Sequence, residues 1–307
     1  MALALLFPGQ GSQFVGMGRD LVGAFPEARR VFEEADDVLG FALSRVAFEG
    51  PADELTATRN AQPALLTHSV AVYRVVRERL GVPAYAAGHS LGEFSAHVAA
   101  GTLSFADALR AVRHRGEAMF ESGQHRAGTM AAVLGMDDDA VVEACAGVTS
   151  GVCVPANFNA PGQVVISGDA AAIVEAAESF RDQGAKKVVP LDVSGAFHSP
   201  LMADAQEAVA EVLSGLDFAD STVPVVSNVT TEPVSRGSIA RERLVEQVTA
   251  PVRWSASIQR MTDDGVDRFI EVGPGSVLRG LNRRNAREAD SRSIGTVDDI
   301  QALEAEA

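Results

Sequence analysis

A chain of 307 residues, 47% apolar and 22% charged, has the composition of a globular protein with a sizeable core, as one large domain or a large domain carrying an insertion. Its net charge of −15 argues against a nucleic-acid partner, whose phosphates demand basic patches, while leaving room for a local arginine to hold a small anion. Two cysteines, Cys145 and Cys153, are too few for a disulfide framework or metal site and read as reduced structural thiols, and no apolar window is long enough for a membrane span.

ALALLF at 2–7 has no basic segment before it, so it reads as a buried first strand and not a signal peptide, and a cytoplasmic location is expected. The loop PGQGSQ follows, then a helical pattern to about Leu39. Apolar residues at helical spacing run from Pro63 to Leu80 and stop at Gly81-Val82-Pro83. A short strand at 84–88 turns tightly into a helix from Leu91 to about Ala100, and another helix spans Phe105 to about Ser122. This alternation argues α/β with a largely parallel sheet.

The middle of the chain differs. Residues 128–136 read as a strand, 137–146 as a helix with an acidic first turn, and 152–157 and 163–167 as strands joined by the turn NAPG. A helix at 170–183 stopped by Gly184 and a strand at 187–193 complete the order β-α-β-β-α-β, that of a ferredoxin-like unit. The expected organisation is a discontinuous large domain, 1–126 and 195–307, with a small domain, 127–194, inserted in it. Further helices are expected at 200–213, 241–249 and 254–264, and strands at 223–228 and 268–272. The tail after about Ala286 is polar and acidic and carries no motif.

The strongest chemical signal is Gly88-His89-Ser90-Leu91-Gly92, a G-x-S-x-G turn between a predicted strand and a predicted helix. A sharp turn pushes the serine hydroxyl outward, the glycines let the backbone crowd, and the helix N-terminus behind offers N–H groups to a developing oxyanion. A serine needs a base. Of six histidines, His68, His97 and His114 lie within predicted helices, His89 is expected to diverge from its neighbour on the turn, and His125 lies in a polar connection. His198, in a loop just after a strand, is the best base by elimination. No acid stands out to orient it. Without further information, FPGQGSQ at 7–13 reads as a plain strand-to-helix loop with Ser12 as helix cap, and Arg115 as a surface side chain in a salt bridge.

Taken together, FPGQGSQ (7–13), GHSLGE (88–93), the RHRG-x-x-M run (113–119), NFNAPGQVVISG (157–168), GAFHS (195–199), LVEQ (244–247) and EVGPG (271–275) resemble the malonyl-CoA:acyl carrier protein transacylases, in that family's order over nearly the whole chain. The resemblance implies an α/β-hydrolase-like large domain with an inserted ferredoxin-like small domain. It also implies a ping-pong transfer of malonyl through an ester on Ser90, with His198 as general base. The backbone N–H groups of Gln10 and Leu91 would form the oxyanion hole, Arg115 would hold the substrate carboxylate, and the Gln247 main-chain carbonyl would orient His198. Leu91 and Phe197 go with malonyl selectivity: bulk at Phe197 crowds an α-methyl branch, worth about 1–3 kcal/mol. Asn157 and Asn159 match the family's NxN run near the cleft. Coenzyme A enters as a thioester substrate, with no cofactor or metal expected. Malonyl-CoA and a phosphopantetheine-bearing carrier protein are the implied partners of a monomeric enzyme, with fatty acid and polyketide assembly both open. An acidic carrier needs a local basic patch, for which Arg279, Arg283 and Arg284 are candidates. A hydrolase for neutral acyl chains and a non-catalytic carrier-binding module are the competing readings. The use of Arg115 separates the first from a malonyl transferase, and formation of an ester on Ser90 separates the second.

Overall fold

The computed structural model describes residues 2–305. Strand β1 (Ala2–Phe7) lies inside a six-stranded sheet with β2 (Tyr85–Gly88), β7 (Val225–Val226), β8 (Pro233–Val234), β9 (Val266–Val272) and β10 (Asp290–Ile294), in the order β10-β9-β1-β2-β7-β8. All pairs are parallel except β7 with β8. Side chains alternate across a strand, so Leu3, Leu5 and Phe7 join the core on one face while Ala4 and Leu6 join that on the other, with Trp254 and Ile258. A strand apolar at every position is what burial on both faces requires.

Strands β3 (Gly128–Leu134), β4 (Cys153–Ala160), β5 (Gln163–Asp169) and β6 (Lys187–Pro190) form a separate antiparallel sheet, ordered β4-β5-β3-β6. Helices Asp138–Ala146 and Ala170–Asp182 cover one face, packing Val141, Ala176 and Phe180 onto Ala131, Val133 and Ile166. The alternate residues Met130 and Val165 belong to the main core. This sheet thus presents its second face to the body of the molecule, which brings Met130 to the site described below. Cys145 and Cys153 are buried free thiols, their sulfurs 3.6 Å apart.

Several boundaries depart from the sequence reading. The first helical stretch is two helices, Arg19–Ala24 and Pro26–Leu39, split where Phe25 is extended ahead of Pro26. Ser12 caps neither, because the first of them starts after Gly18. Helix Thr58–Leu80 begins before Pro63 and contains it. Proline offers no N–H to the carbonyl of Arg59, and Arg113 Nη1 donates to that oxygen instead at 3.1 Å. Helices Leu43–Glu49, Ala52–Thr56 and Val277–Asn285 had no counterpart in the reading. The polar, acidic tail, in which the sequence reading placed no element, forms β10, parallel to β9, and helix Val297–Ala305. Only Ile294 and Ile300 are fully buried there, too few apolar residues to signal an edge element. No helix among the described residues is long and apolar enough to cross a membrane.

Candidate active site

The turn between β2 and helix Gly92–Ala99 is shaped by its glycines. A Cβ at Gly88 would lie 1.9 Å from the carbonyl of Gly92, and one at Gly92 would lie 2.0 Å from the carbonyl oxygen of Phe7 in β1. Ser90 between them adopts φ 51°, a left-handed conformation costly for a side chain with a Cβ. Asn228, fully buried, clasps the turn: its Oδ1 accepts from Ser90 N at 2.7 Å and its Nδ2 donates to Gly88 O at 2.7 Å.

His198 reaches Ser90 from the loop after β6, with Nε2 2.8 Å from the serine Oγ. It too is left-handed, at φ 56°. Its Nδ1 faces two carbonyl oxygens, Gln247 at 2.9 Å and Ala250 at 3.1 Å, so Nδ1 carries the proton and Nε2 is free to accept one from the serine. Burial, with Arg115 nearby, pushes the imidazole down to about 3, which keeps it neutral. A neutral acceptor therefore stands where a triad acid would. His89 turns away from Ser90, its Nε2 2.8 Å from Asn159 Oδ1. His68 and His97 are buried within helices, while His114 and His125 are exposed.

Arg115 overturns the surface reading. It is only 1% exposed, on helix Phe105–His125. Nη1 donates to Gln62 Oε1 at 2.8 Å, and Nη2 donates to Ser90 Oγ and Gln247 Oε1, each at 3.0 Å. Burial lowers its pKa to about 10, so it stays charged at neutral pH. A cavity of about 310 Å³ opens over these groups, lined among others by Gln10, Leu91, Arg115, Met130, Phe197 and Asn157. Such a pocket joins a serine hydroxyl, a neutral imidazole able to accept its proton and a buried cation of the kind that can hold an anionic acyl group.

A sequence profile described as the acyl transferase domain matches residues 4–302. The chain belongs to the acyl transferase domain family. It is 48% identical over 301 residues to a malonyl CoA-acyl carrier protein transacylase of Bacillus subtilis, covering 97% of this chain and 95% of that one. An acyl-carrier-protein-S-malonyltransferase from Bartonella henselae superposes with a TM-score of 0.95 at 44% identity, covering 100% and 99% of the two chains. A malonyl-transacylase solved in complex with its type II PKS acyl-carrier protein gives 0.95 at 41% identity, covering 99% and 100%.

This acyl transferase brings Ser90, His198, Arg115, Gln247, Gln10, Leu91 and Phe197 to one pocket or its immediate wall. Gln10 lies at the exposed rim, its side chain donating to Thr58 Oγ1 at 3.3 Å. Leu91 lines the cavity and immediately precedes helix Gly92–Ala99, whose first N–H groups, those of Gly92, Glu93 and Phe94, donate to the carbonyls of His89, Ser90 and Leu91. Asn157 lines the cavity, whereas Asn159 supports His89. Arg279, Arg283 and Arg284 are exposed on helix Val277–Asn285, with Arg284 donating to Gln163 Oε1. Three residues of the site were missed by sequence reasoning: Gln62, Asn228 and Glu93. Glu93 was in view within GHSLGE, but only the tertiary contacts of its carboxylate single it out.

Proposed function

We propose that this chain transfers malonyl from malonyl-CoA to the phosphopantetheine thiol of an acyl carrier protein, acting as a monomer. The fold reading that goes with it is an α/β-hydrolase-like large domain, 1–126 and 195–307, with a ferredoxin-like domain, 127–194, inserted. The carrying observation is the buried Arg115 guanidinium 3.0 Å from the Ser90 hydroxyl, beside a neutral His198. A site for neutral acyl chains has no use for a desolvated cation at its nucleophile.

In the first half-reaction, Ser90 Oγ attacks the thioester carbonyl as His198 Nε2 takes its proton. Arg115 pairs with the malonyl carboxylate, and its planar fork suits two parallel hydrogen bonds. The backbone N–H groups of Gln10 and Leu91 receive the oxyanion. Collapse breaks the C–S bond, His198 returns the proton to the coenzyme A sulfur, and the malonyl ester remains. The carrier thiol then attacks that ester, losing its proton to His198, which passes it to Ser90 Oγ. Phe197 walls the pocket against an α-methyl group.

Incubation with malonyl-CoA followed by intact-mass measurement tests this reading. A malonyl adduct on the wild-type protein, lost in Ser90→Ala and discharged by holo carrier protein, is expected. No adduct on the wild type would reject the transferase reading, and an adduct surviving Ser90→Ala would reject the nucleophile.

A further inference from the structure

Glu93 lies in the first turn of helix Gly92–Ala99 and is 1% exposed. Its Oε2 accepts from Gln247 Nε2 at 2.6 Å and from Asn228 N at 3.2 Å. The Gln247 amide has one allowed orientation: its Oε1 accepts from Arg115 Nη2, while its Nε2 must donate to Ser90 O and to Glu93. A single side-chain amide thus separates a buried guanidinium from a buried carboxylate. The other titratable groups nearby are His198, His89 and, one turn along the same helix from Glu93, His97, each shifted by burial toward its neutral form. Helix Gly237–Glu246 and its C-terminal neighbour Gln247 add only the neutral amide at this contact. Arg115, from helix Phe105–His125, is the charge that Glu93 meets.

We propose that Glu93 is the resident counter-ion of Arg115, and that it takes a proton from solvent when the malonyl carboxylate occupies Arg115. Two carboxylates sharing one desolvated cation cannot both remain ionised cheaply. The malonyl group is the stronger acid and contacts the guanidinium directly, so the proton goes to Glu93. Burial already holds the Glu93 carboxyl at about 7, opposed by the hydrogen bonds from Gln247 and Asn228 and by the charge of Arg115, so a modest change in its surroundings protonates it. The step adds one proton to one carboxylate oxygen and reverses when malonyl leaves. Glu93 never touches substrate and is a positioning residue. The inference rests on the malonyl-transfer reading.

The single-turnover acylation of Ser90 by the malonyl thioester of N-acetylcysteamine, which lacks the titrating phosphates of coenzyme A, reads this out between about pH 6 and about pH 8.5. The wild-type rate constant is expected to fall as pH rises, about tenfold for a coupling of one pH unit. Glu93→Gln is expected to be flat and close to the wild-type low-pH value, and the acetyl thioester to give flat profiles in both proteins. A flat wild-type profile, or the same fall in Glu93→Gln, would overturn the proposal. The transfer itself moves the serine proton to the leaving thiol and is proton-neutral. Net proton uptake on malonylation, followed with an indicator dye in weak buffer, is therefore expected of the wild-type enzyme, and its absence would overturn the proposal without any variant. Failure to form an ester on Ser90 at any pH would overturn the underlying malonyl-transfer reading as well.

Discussion

Ser90 and His198 meet although 107 residues lie between them, and both sit at positive φ, where a side chain is strained. Surrounding contacts hold them there: Asn228 bonds both sides of the serine turn, and two carbonyls fix the imidazole. Arg115 is the residue whose loss is expected to separate acyl groups. Arg115→Ala should lower kcat/KM for malonyl-CoA by roughly 10- to 100-fold, the worth of a hydrogen bond to a charged group, and leave acetyl-CoA unchanged or improved. Parallel steady-state kinetics with the two thioesters check it, and equal losses would reject the carboxylate clamp. The pairing of Ser90 with His198 was legible because a turn motif and a loop position carry local signals. The burial of Arg115 was not, because a helical arginine in sequence does not show that Gln62 and Gln247 will enclose it. Glu93 and Asn228 escaped for the same reason: their partners come from segments more than a hundred residues away.

At the scale of elements, the turn works because β1, β2 and helix Gly92–Ala99 approach more closely than any Cβ permits. Gly92→Ala would drive a methyl group into the Phe7 carbonyl of the neighbouring strand. We expect a loss of about 2 kcal/mol or more and of Ser90 acylation, since the serine and the helix N-terminus must shift together. Gly23→Ala in helix Arg19–Ala24 meets nothing and needs no special φ, so it should be neutral or stabilise by about 0.5–1 kcal/mol. Urea midpoints of the two variants make the comparison. The strands and helices were legible wherever apolar periodicity was strong, as in β1 and helix Phe105–His125. They were not where long-range partners decide: Arg113 caps the carbonyl that Pro63 leaves open, and β10 is held by pairing with β9 despite its polar sequence.

Over the whole molecule, buried neutral histidines set the acid limit of stability. His97 is held down at about 3 by burial alone, against about 6.5 in the unfolded chain. Between those values the unfolded chain binds a proton that the folded protein does not, so stability is lost as pH falls below about 6.5, by about 1.4 kcal/mol per pH unit. His68 and His198 act in the same sense; Glu93, whose pKa is raised, acts in the opposite one. His97→Leu removes one proton from the balance. Its unfolding free energy should therefore decline less steeply than the wild type's between about pH 6.5 and about pH 4.5, the difference between the two curves shifting in the variant's favour by about 1.4 kcal/mol per unit whatever offset the lost side chain imposes at neutral pH. Denaturant melts across that range check the slope. Parallel curves would mean that His97 either protonates in the folded state or is already neutral in the unfolded one, and burial would then not be what ties this fold to neutral pH.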